Sequence, residues 1–352
     1  MRALTIRAHG GLERLEFRTD LPDPVVETET DVRVRVHAAA LNHLDLFVLA
    51  GLPGVSIAPP WVMGADAAGV VDQVGSEVRG VAVGEFVLVN PGVSDGTCAY
   101  CRAGEESLCL RYQILGEHRP GTFADYVVVP AANVRPVPRP TTPDAVAVAA
   151  AFTLVTLTAW RMLVTKARVA AGDDVLIWGV GGGVAQAALQ IAKSRGARVW
   201  VTSSSDAKLE RARALGADEA LNHRTTDIAR VVRERTGKRG VDVVVDSVGQ
   251  ATWSQSLGAL GRGGRLVTCG ATSGPLVETD IRRMFWNQWT LMGSTMGAAS
   301  EFEAIVAEYR AGRLVPPVDS VWPLADGRDA VARLADDTQF GKIVLQIGGS
   351  DA

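Results

Sequence analysis

Residues 175–197, VLIWGVGGGVAQAALQIAKSRGA, read as a strand, a tight glycine turn and a helix, and few architectures accommodate that succession. Residues 175–178 are continuously apolar, the pattern of a parallel strand covered on both faces rather than of a half-exposed one. Gly179, Gly181, Gly182 and Gly183 then turn the chain. From Val184 onward the apolar residues Ala188, Leu189, Ile191 and Ala192 fall at helical spacing, and Gly196 ends the run. Such a turn lets a dinucleotide pyrophosphate approach the backbone and rest over the unpaired N–H groups of a helix start, where a side chain would push it away. The glycine pattern departs from G-x-G-x-x-G, with Val184 in the third place; read from Gly179 and Gly182 to Ala185 it gives G-x-x-G-x-x-A. Three further strand-like runs follow, at 198–202, 241–246 and 265–269, with a helical segment at 206–215 after the first. Alternation over this length predicts an α/β unit, a doubly wound parallel sheet.

A chain of 352 residues has room for about two domains. The net charge of -3 offers no basic footprint for nucleic acid, so no nucleic-acid partner is expected. Arg2, Arg7 and His9 are not followed by the apolar core of a secretory signal, and the long uncharged stretches at 145–160 and 175–192 are interrupted by threonine or glycine. The expectation is a cytoplasmic protein with no membrane span.

Residues 1–140 have another texture, with short alternating runs at 31–37 (DVRVRVH), 69–74 and 85–89, the pattern of an all-β unit. Pro136, Pro138, Pro140 and Pro143 punctuate its end. A charged helical segment at 301–311 and a strand at 342–347 close the chain. Three of the four cysteines cluster as Cys98, Cys101 and Cys109, a C-x2-C-x7-C spacing that gathers three thiolates on one loop. In a reducing compartment that suits a structural zinc site better than disulfides.

Taken together, ALNHLDL at 40–46, GADAAGVV at 64–71, the cysteine cluster, GVGGGVA at 179–185, VDVVVDSVG at 241–249 and GGRLVTCG at 263–270 resemble the medium-chain dehydrogenase/reductase superfamily. The resemblance runs over essentially the whole chain and in order. It implies a GroES-like β domain at 1–140, a Rossmann domain at 141–297 and a segment at 298–352 that completes the first domain, with an active site in the cleft between the two. In zinc-lobed members a fourth cysteine precedes the other three by three residues; here Asp95 stands there. A carboxylate ligates zinc at about 2.0–2.2 Å, so Asp95, Cys98, Cys101 and Cys109 can close a tetrahedron, with Glu105, Glu106 or water as substitutes for Asp95. A lobe of three reduced thiols beside a solvated aspartate is the alternative.

The positions that match the family's catalytic zinc ligands are Asn42, Ala65 and Leu154, which removes the Lewis acid and predicts chemistry without metal there. LNHLD resembles the quinone oxidoreductase branch. Where an NAD-specific protein places an acid for the ribose 2′-hydroxyl, this chain has Ser203, Ser204 and Ser205. Lys208, His223 and Arg224 resemble the positions from which NADP-dependent relatives supply positive charge, and Asp206 lies close by. NADP(H) is therefore expected, with Thr158 near the nicotinamide and Asp246, Val248 and Gly270 at strand ends where dinucleotides bind. Asn42 through its amide, His43 as proton donor, Asp45 as its orienting partner and His118 are the candidates for the chemistry, and Trp61, Phe123 and Trp286 for an apolar lining.

The function expected is NADPH-dependent hydride transfer to a quinone or an enone C=C. An alcohol or aldehyde oxidoreductase without zinc, or with one recruited through Asp66 or His43, is the alternative, and a non-catalytic NADPH-binding protein the third. The segment at 290–296 resembles the family's edge strand, through which Rossmann domains pair, so a homodimer or a dimer of dimers is expected.

Overall fold

The structure, a computed structural model, describes residues 1–348. The chain divides into two compact units, Met1–Val155 with Gly297–Ala352, and Thr156–Met296. The first domain was expected to end near residue 140, but the helix Pro143–Ala150 stays with it. Ala147, Ala149 and Ala150 are buried, and the helix packs on the strands Asp31–Ala40, Asp66–Val74 and Lys342–Gln346. The prolines mark a turn onto the sheet rather than an exit from it. No single helix among the described residues is long and apolar enough to cross a membrane; the pair Pro143–Ala150 and Thr153–Lys166 passes only as a bent combination, and by composition alone.

The first unit is built on a sheet whose strands lie in the order Val134–Pro136, Phe86–Val89, Asp66–Val74, Asp31–Ala40, Lys342–Gln346, Val318–Pro323. Tyr126–Pro130 also pairs with Asp31–Ala40. The strand read at 31–37 continues to Ala40, and over Ala38–Ala40 the alternation gives way to continuous burial because helix and sheet then cover both faces. The register sets Ala40 opposite Asp66 on one side and Val344 on the other. Leu4, Ile6, Val34, Val36, Phe123, Val127 and Leu345 belong to its core. Between the two strands of a small ribbon, Gly92–Val93 and Gln113–Ile114, the chain makes the excursion that carries the three cysteines.

The second unit holds six parallel strands in the order Glu219–Asn222, Arg198–Ser203, Asp174–Ile177, Val241–Val245, Leu260–Thr268, Thr290–Gly293. Numbered along the unit this is 3-2-1-4-5-6, the doubly wound order of a dinucleotide-binding sheet. The first strand is buried throughout, and the helix Gly183–Ser194 follows the glycine turn. Gly196, at φ +77°, ends that helix in a conformation other residues adopt at a cost. Trp200 is fully buried in the sheet, its indole N–H donating to Asp174 at 2.7 Å. Thr290–Gly293 is the last strand of the sheet, partly exposed.

Candidate functional site

In the first unit three adjacent strands bring three polar side chains to one buried place. Asn42 follows the strand Asp31–Ala40, Asp66 opens its neighbour, and Lys342 opens the strand on the other side. Lys342 Nζ donates to Asn42 Oδ1 at 2.5 Å and to Asp66 Oδ2 at 3.1 Å, with the lysine and aspartate side chains 4% and 0% exposed. The Asn42 amide donates to Ala40 O at 3.2 Å and to Asp66 Oδ2 at 3.1 Å. Asp66 Oδ1 accepts the backbone N–H of Leu154 at 2.7 Å. Each buried charge thus has an opposite charge or donors, the condition for tolerating it inside.

The arrangement changes the reading of Asn42. The amide expected to donate to an acceptor oxygen has both N–H groups committed within the fold, because the buried Asp66 carboxylate requires donors. Asp45, expected to orient His43, accepts the Asn42 backbone N–H at 2.7 Å and so caps the helix His43–Ala50. Burial raises the Asp45 carboxyl to about 7 against the lowering effects of that N–H and of Lys342. His43 is the first residue of this helix and partly exposed. Lys342 escaped sequence reasoning; the signal was a single cation heading the apolar run KIVL.

At the positions where the family carries catalytic zinc ligands, Asn42 is bound to an ammonium, Ala65 is fully buried and Leu154 offers only an alkyl group. Asp66, the route suggested for recruiting a metal, is saturated by Lys342, Asn42 and Leu154 N–H. These residues do not fit a catalytic zinc.

The other candidates are not among the hydrogen-bonded members of this cluster. The His118 side chain is 38% exposed, its Nδ1 accepting Ile114 N–H at 3.3 Å beside Glu117, whose carboxyl burial raises. Trp61 and Phe123 are buried in the first unit, Trp61 donating to Gly116 O at 2.8 Å, whereas Trp286 is 68% exposed on a helix of the second.

The cysteine lobe, by contrast, is gathered. One ligand atom from each of Asp95, Cys98, Cys101 and Cys109 lies within 4.8 Å of every other. Cys98 and Cys101 sulfurs are 3.5 Å apart, and Asp95 Oδ1 is 3.4 Å from Cys101 Sγ. The same oxygen accepts N–H bonds from Thr97 at 2.7 Å and Cys98 at 2.9 Å. These bonds and the Arg111 guanidinium hold the Asp95 carboxyl well below the usual range. Backbone N–H groups of Cys101 and Leu110 lower Cys98 to about 7, while burial pushes Cys101 up to about 11. Three sulfurs and one oxygen at this separation are a donor set that fits tetrahedral zinc. Glu106, a possible substitute ligand, instead accepts the Ala299 N–H at 3.1 Å at the start of another helix.

In the second unit the glycine turn forms an open cradle. Gly179 has φ +70°, and a Cβ there would meet only Val248 Cγ2, at 3.9 Å; at Gly182 it would meet only Gly179 O, at 3.7 Å. The protein interior therefore leaves room at these positions, and what the glycines keep clear is the space over the start of the helix Gly183–Ser194, as a pyrophosphate requires. Beside it Thr202 Oγ accepts the Gly179 N–H at 3.2 Å. Ser203 Oγ accepts Ser205 N–H at 3.1 Å, and Ser205 caps the next helix by accepting Lys208 N–H. Asp206, the acid nearest this edge, takes a hydrogen bond from Asn222 at 2.8 Å. His223 follows the neighbouring strand, its ring 6.0 Å from that of Trp178. Thr158 Oγ donates to Met296 Sδ at 3.6 Å.

Asp246 directly follows the strand Val241–Val245. Its carboxylate accepts from Thr252 Oγ, Ser256 Oγ and the N–H groups of Val248 and Gly249, all within 3.0 Å. It shapes the turn that presents Val248, and its own acceptors are already filled. Val248 O in turn accepts from Ser273 Oγ at 2.7 Å, and Gly270 O from Thr268 Oγ at 3.0 Å.

Comparison with known proteins agrees with this division. The model of the alcohol dehydrogenase GroES-like domain matches residues 28–139, and that of the zinc-binding dehydrogenase matches residues 183–310. A protein of Sulfurisphaera tokodaii named NAD-dependent alcohol dehydrogenase is 30% identical over 98% of this chain and 99% of its own length. The human protein named quinone oxidoreductase is 26% identical over 98% and 97%. A solved structure described as an NAD-dependent alcohol dehydrogenase superposes with a TM-score of 0.93 at 46% identity, covering 99% of this chain and 100% of that one. With a GroES-like unit, a doubly wound nucleotide unit and relatives matched end to end, this chain belongs to the medium-chain dehydrogenase/reductase superfamily and is a nicotinamide-dependent oxidoreductase.

Proposed function

We propose that this oxidoreductase transfers hydride from NADPH to a quinone or to the activated C=C of an enone, without catalytic zinc. The observation that carries the reading is the buried cluster in which Lys342 and Asp66 engage Asn42 and the Leu154 N–H, two of the three positions where the family binds catalytic metal, the third being Ala65. An ammonium occupies the carboxylate, and the remaining positions are alkyl. Polarisation of an alcohol or carbonyl by a metal is therefore not available to these residues. Quinones and enones are already electrophilic and need chiefly orientation and a proton.

NADPH supplies the hydride; the chain's residues bind and orient it and deliver the proton. The glycine cradle holds the pyrophosphate over the helix start. Ser203, Ser204, Lys208 and His223 receive a 2′-phosphate, helped by the engagement of Asp206 with Asn222, which leaves no bare acid at this edge. Thr158, Val248 and Gly270 border the nicotinamide half. His43 is the proton donor at the start of its helix, and His118 the second candidate. Asn42 and Asp45 act as positioning residues, since their polar atoms serve the fold. The lobe of Asp95, Cys98, Cys101 and Cys109 holds one structural zinc. We assign the protein to a reducing, cytoplasmic setting and to a homodimer built through the strand Thr290–Gly293, with small molecules as its substrates.

The relatives named alcohol dehydrogenase keep a second reading in view, oxidation of an alcohol or reduction of an aldehyde. Steady-state assays with a quinone, an enone and a simple aldehyde, each with NADPH and NADH, separate the two. Turnover of quinone or enone that favours NADPH and survives a chelator is the expected result. Turnover of the aldehyde alone, abolished by the chelator, would overturn the proposal, and binding of NADPH with no turnover of any acceptor would point to a non-catalytic role.

A further inference from the structure

Arg111 is the best-placed side chain that neither the fold nor the proposed chemistry has used. It lies two residues beyond Cys109, and its Nε donates to Asp95 Oδ2 at 2.9 Å. The guanidinium is 73% exposed while the carboxylate is 11% exposed. An ion pair whose cation is this open to water is screened and contributes little to folding, so global stability does not explain it. Its effect is local and directional. With Oδ2 engaged by Arg111 and Oδ1 held by the N–H groups of Thr97 and Cys98, the carboxylate plane is fixed, and Oδ1 is the oxygen turned toward the thiols. The Arg111 backbone N–H also donates to Cys109 Sγ at 3.4 Å, so the residue touches two of the four candidate ligands.

We propose that Arg111 is the positioning residue that makes Asp95 a competent fourth zinc ligand. The proposal rests on the zinc reading of the lobe. A cysteine reaches a metal through one sulfur on a short arm and needs no such partner, whereas a carboxylate rotates about its Cβ–Cγ bond and divides its charge between two oxygens. Three thiolates and one carboxylate around Zn2+ leave two negative charges, and the guanidinium offsets one of them. Hydrogen-bond partners of ligands outside the coordination sphere typically set metal affinity by 10–100-fold.

The test is zinc competition against a chromophoric chelator on the full chain, comparing the parent with Arg111→Ala, Arg111→Lys, Asp95→Cys and the double variant Asp95→Cys/Arg111→Ala. Arg111→Ala should bind zinc about 10–100-fold more weakly, with Arg111→Lys recovering part of the loss. In the Asp95→Cys background the same alanine substitution should change affinity little. The cobalt-loaded Arg111→Ala protein should keep its thiolate-to-metal absorption, since the three sulfurs remain in place. Equal affinity of parent and Arg111→Ala, or an equal loss in both backgrounds, would overturn the proposal. A parent that takes up no zinc at all, with Asp95→Cys taking it up, would instead overturn the zinc reading itself and the role of Arg111 with it.

Discussion

Asp45 is 2% exposed, and loss of water on burial pushes its carboxyl up to about 7, against the Asn42 N–H and Lys342, with a smaller upward push from the neighbouring Asp66. The native state therefore prefers Asp45 protonated, while the unfolded chain ionises it near 3.9. Stability is fully retained below the unfolded value and declines as pH rises from about 4 to about 7. Asp45→Asn keeps an acceptor for the Asn42 N–H and removes the charge. Its denaturation free energy should match the parent's near pH 4 and exceed it increasingly up to pH 7, by at most about 4 kcal/mol at 1.36 kcal/mol per unit. Urea titrations at several pH values check this, and a pH-independent difference would show that the carboxyl is ionised throughout. None of this was legible in the sequence. Asn42 and Asp45 were named through the motif LNHLD as candidates for the chemistry, but the commitment of Asn42 to Asp66 and Lys342 depends on strands that meet across some 300 positions of the chain.

Elements with strong local signatures were read closely. The strand Arg198–Ser203, the helix Asp206–Ala214 and the strand Lys342–Gln346 lie within a residue or two of their expected bounds, because continuous or periodic burial fixes them locally. The strand Glu219–Asn222 and the helices Ile228–Arg235 and Gly327–Ala335 were not anticipated, being short, charged and shaped by their neighbours. The run Leu260–Thr268 was expected to start at 265; Gly261, Gly263 and Gly264 obscure its beginning. Among the described residues the strand Thr290–Gly293 pairs on one side only, with Leu260–Thr268, and its other edge is the surface through which we propose a dimer. Met292→Lys places a charge on that half-exposed edge, a device by which natural sheets block edge-to-edge association. Light scattering should report a dimer or a dimer of dimers for the parent and a smaller species for Met292→Lys. A parent monomer would mean that this edge is protected in another way.

For the whole molecule, metal stoichiometry is the plainest consequence of the two ligand sets. The lobe supplies three sulfurs and an oxygen within 4.8 Å, whereas the cluster at Asn42 already contains its own cation. Elemental analysis of the purified protein should give one zinc per chain, and two would require Asp66 to exchange its ammonium for a metal. The three cysteines of the lobe were legible because their spacing gathers them on one loop, and Asp95 was legible because it stands where the resemblance places a fourth ligand. The fate of the second site was legible only as missing ligands; what fills it came from strand order.

The first unit is discontinuous, leaving the chain at Val155 and resuming at Gly297. Its strand Lys342–Gln346 lies between Asp31–Ala40 and Val318–Pro323, so the sheet cannot close until residues 342–346 have been synthesised. The nucleotide unit, contiguous from Thr156 to Met296, faces no such delay. During vectorial synthesis at about 5–20 residues per second, the end of the strand Asp31–Ala40 waits on the order of fifteen seconds or more for its neighbour, with Ala38–Ala40 unpaired on that edge and Asp66 without its ammonium. The nascent protein is thus a finished Rossmann unit hanging from an open β-sheet, and this is the interval in which a chaperone has something to hold.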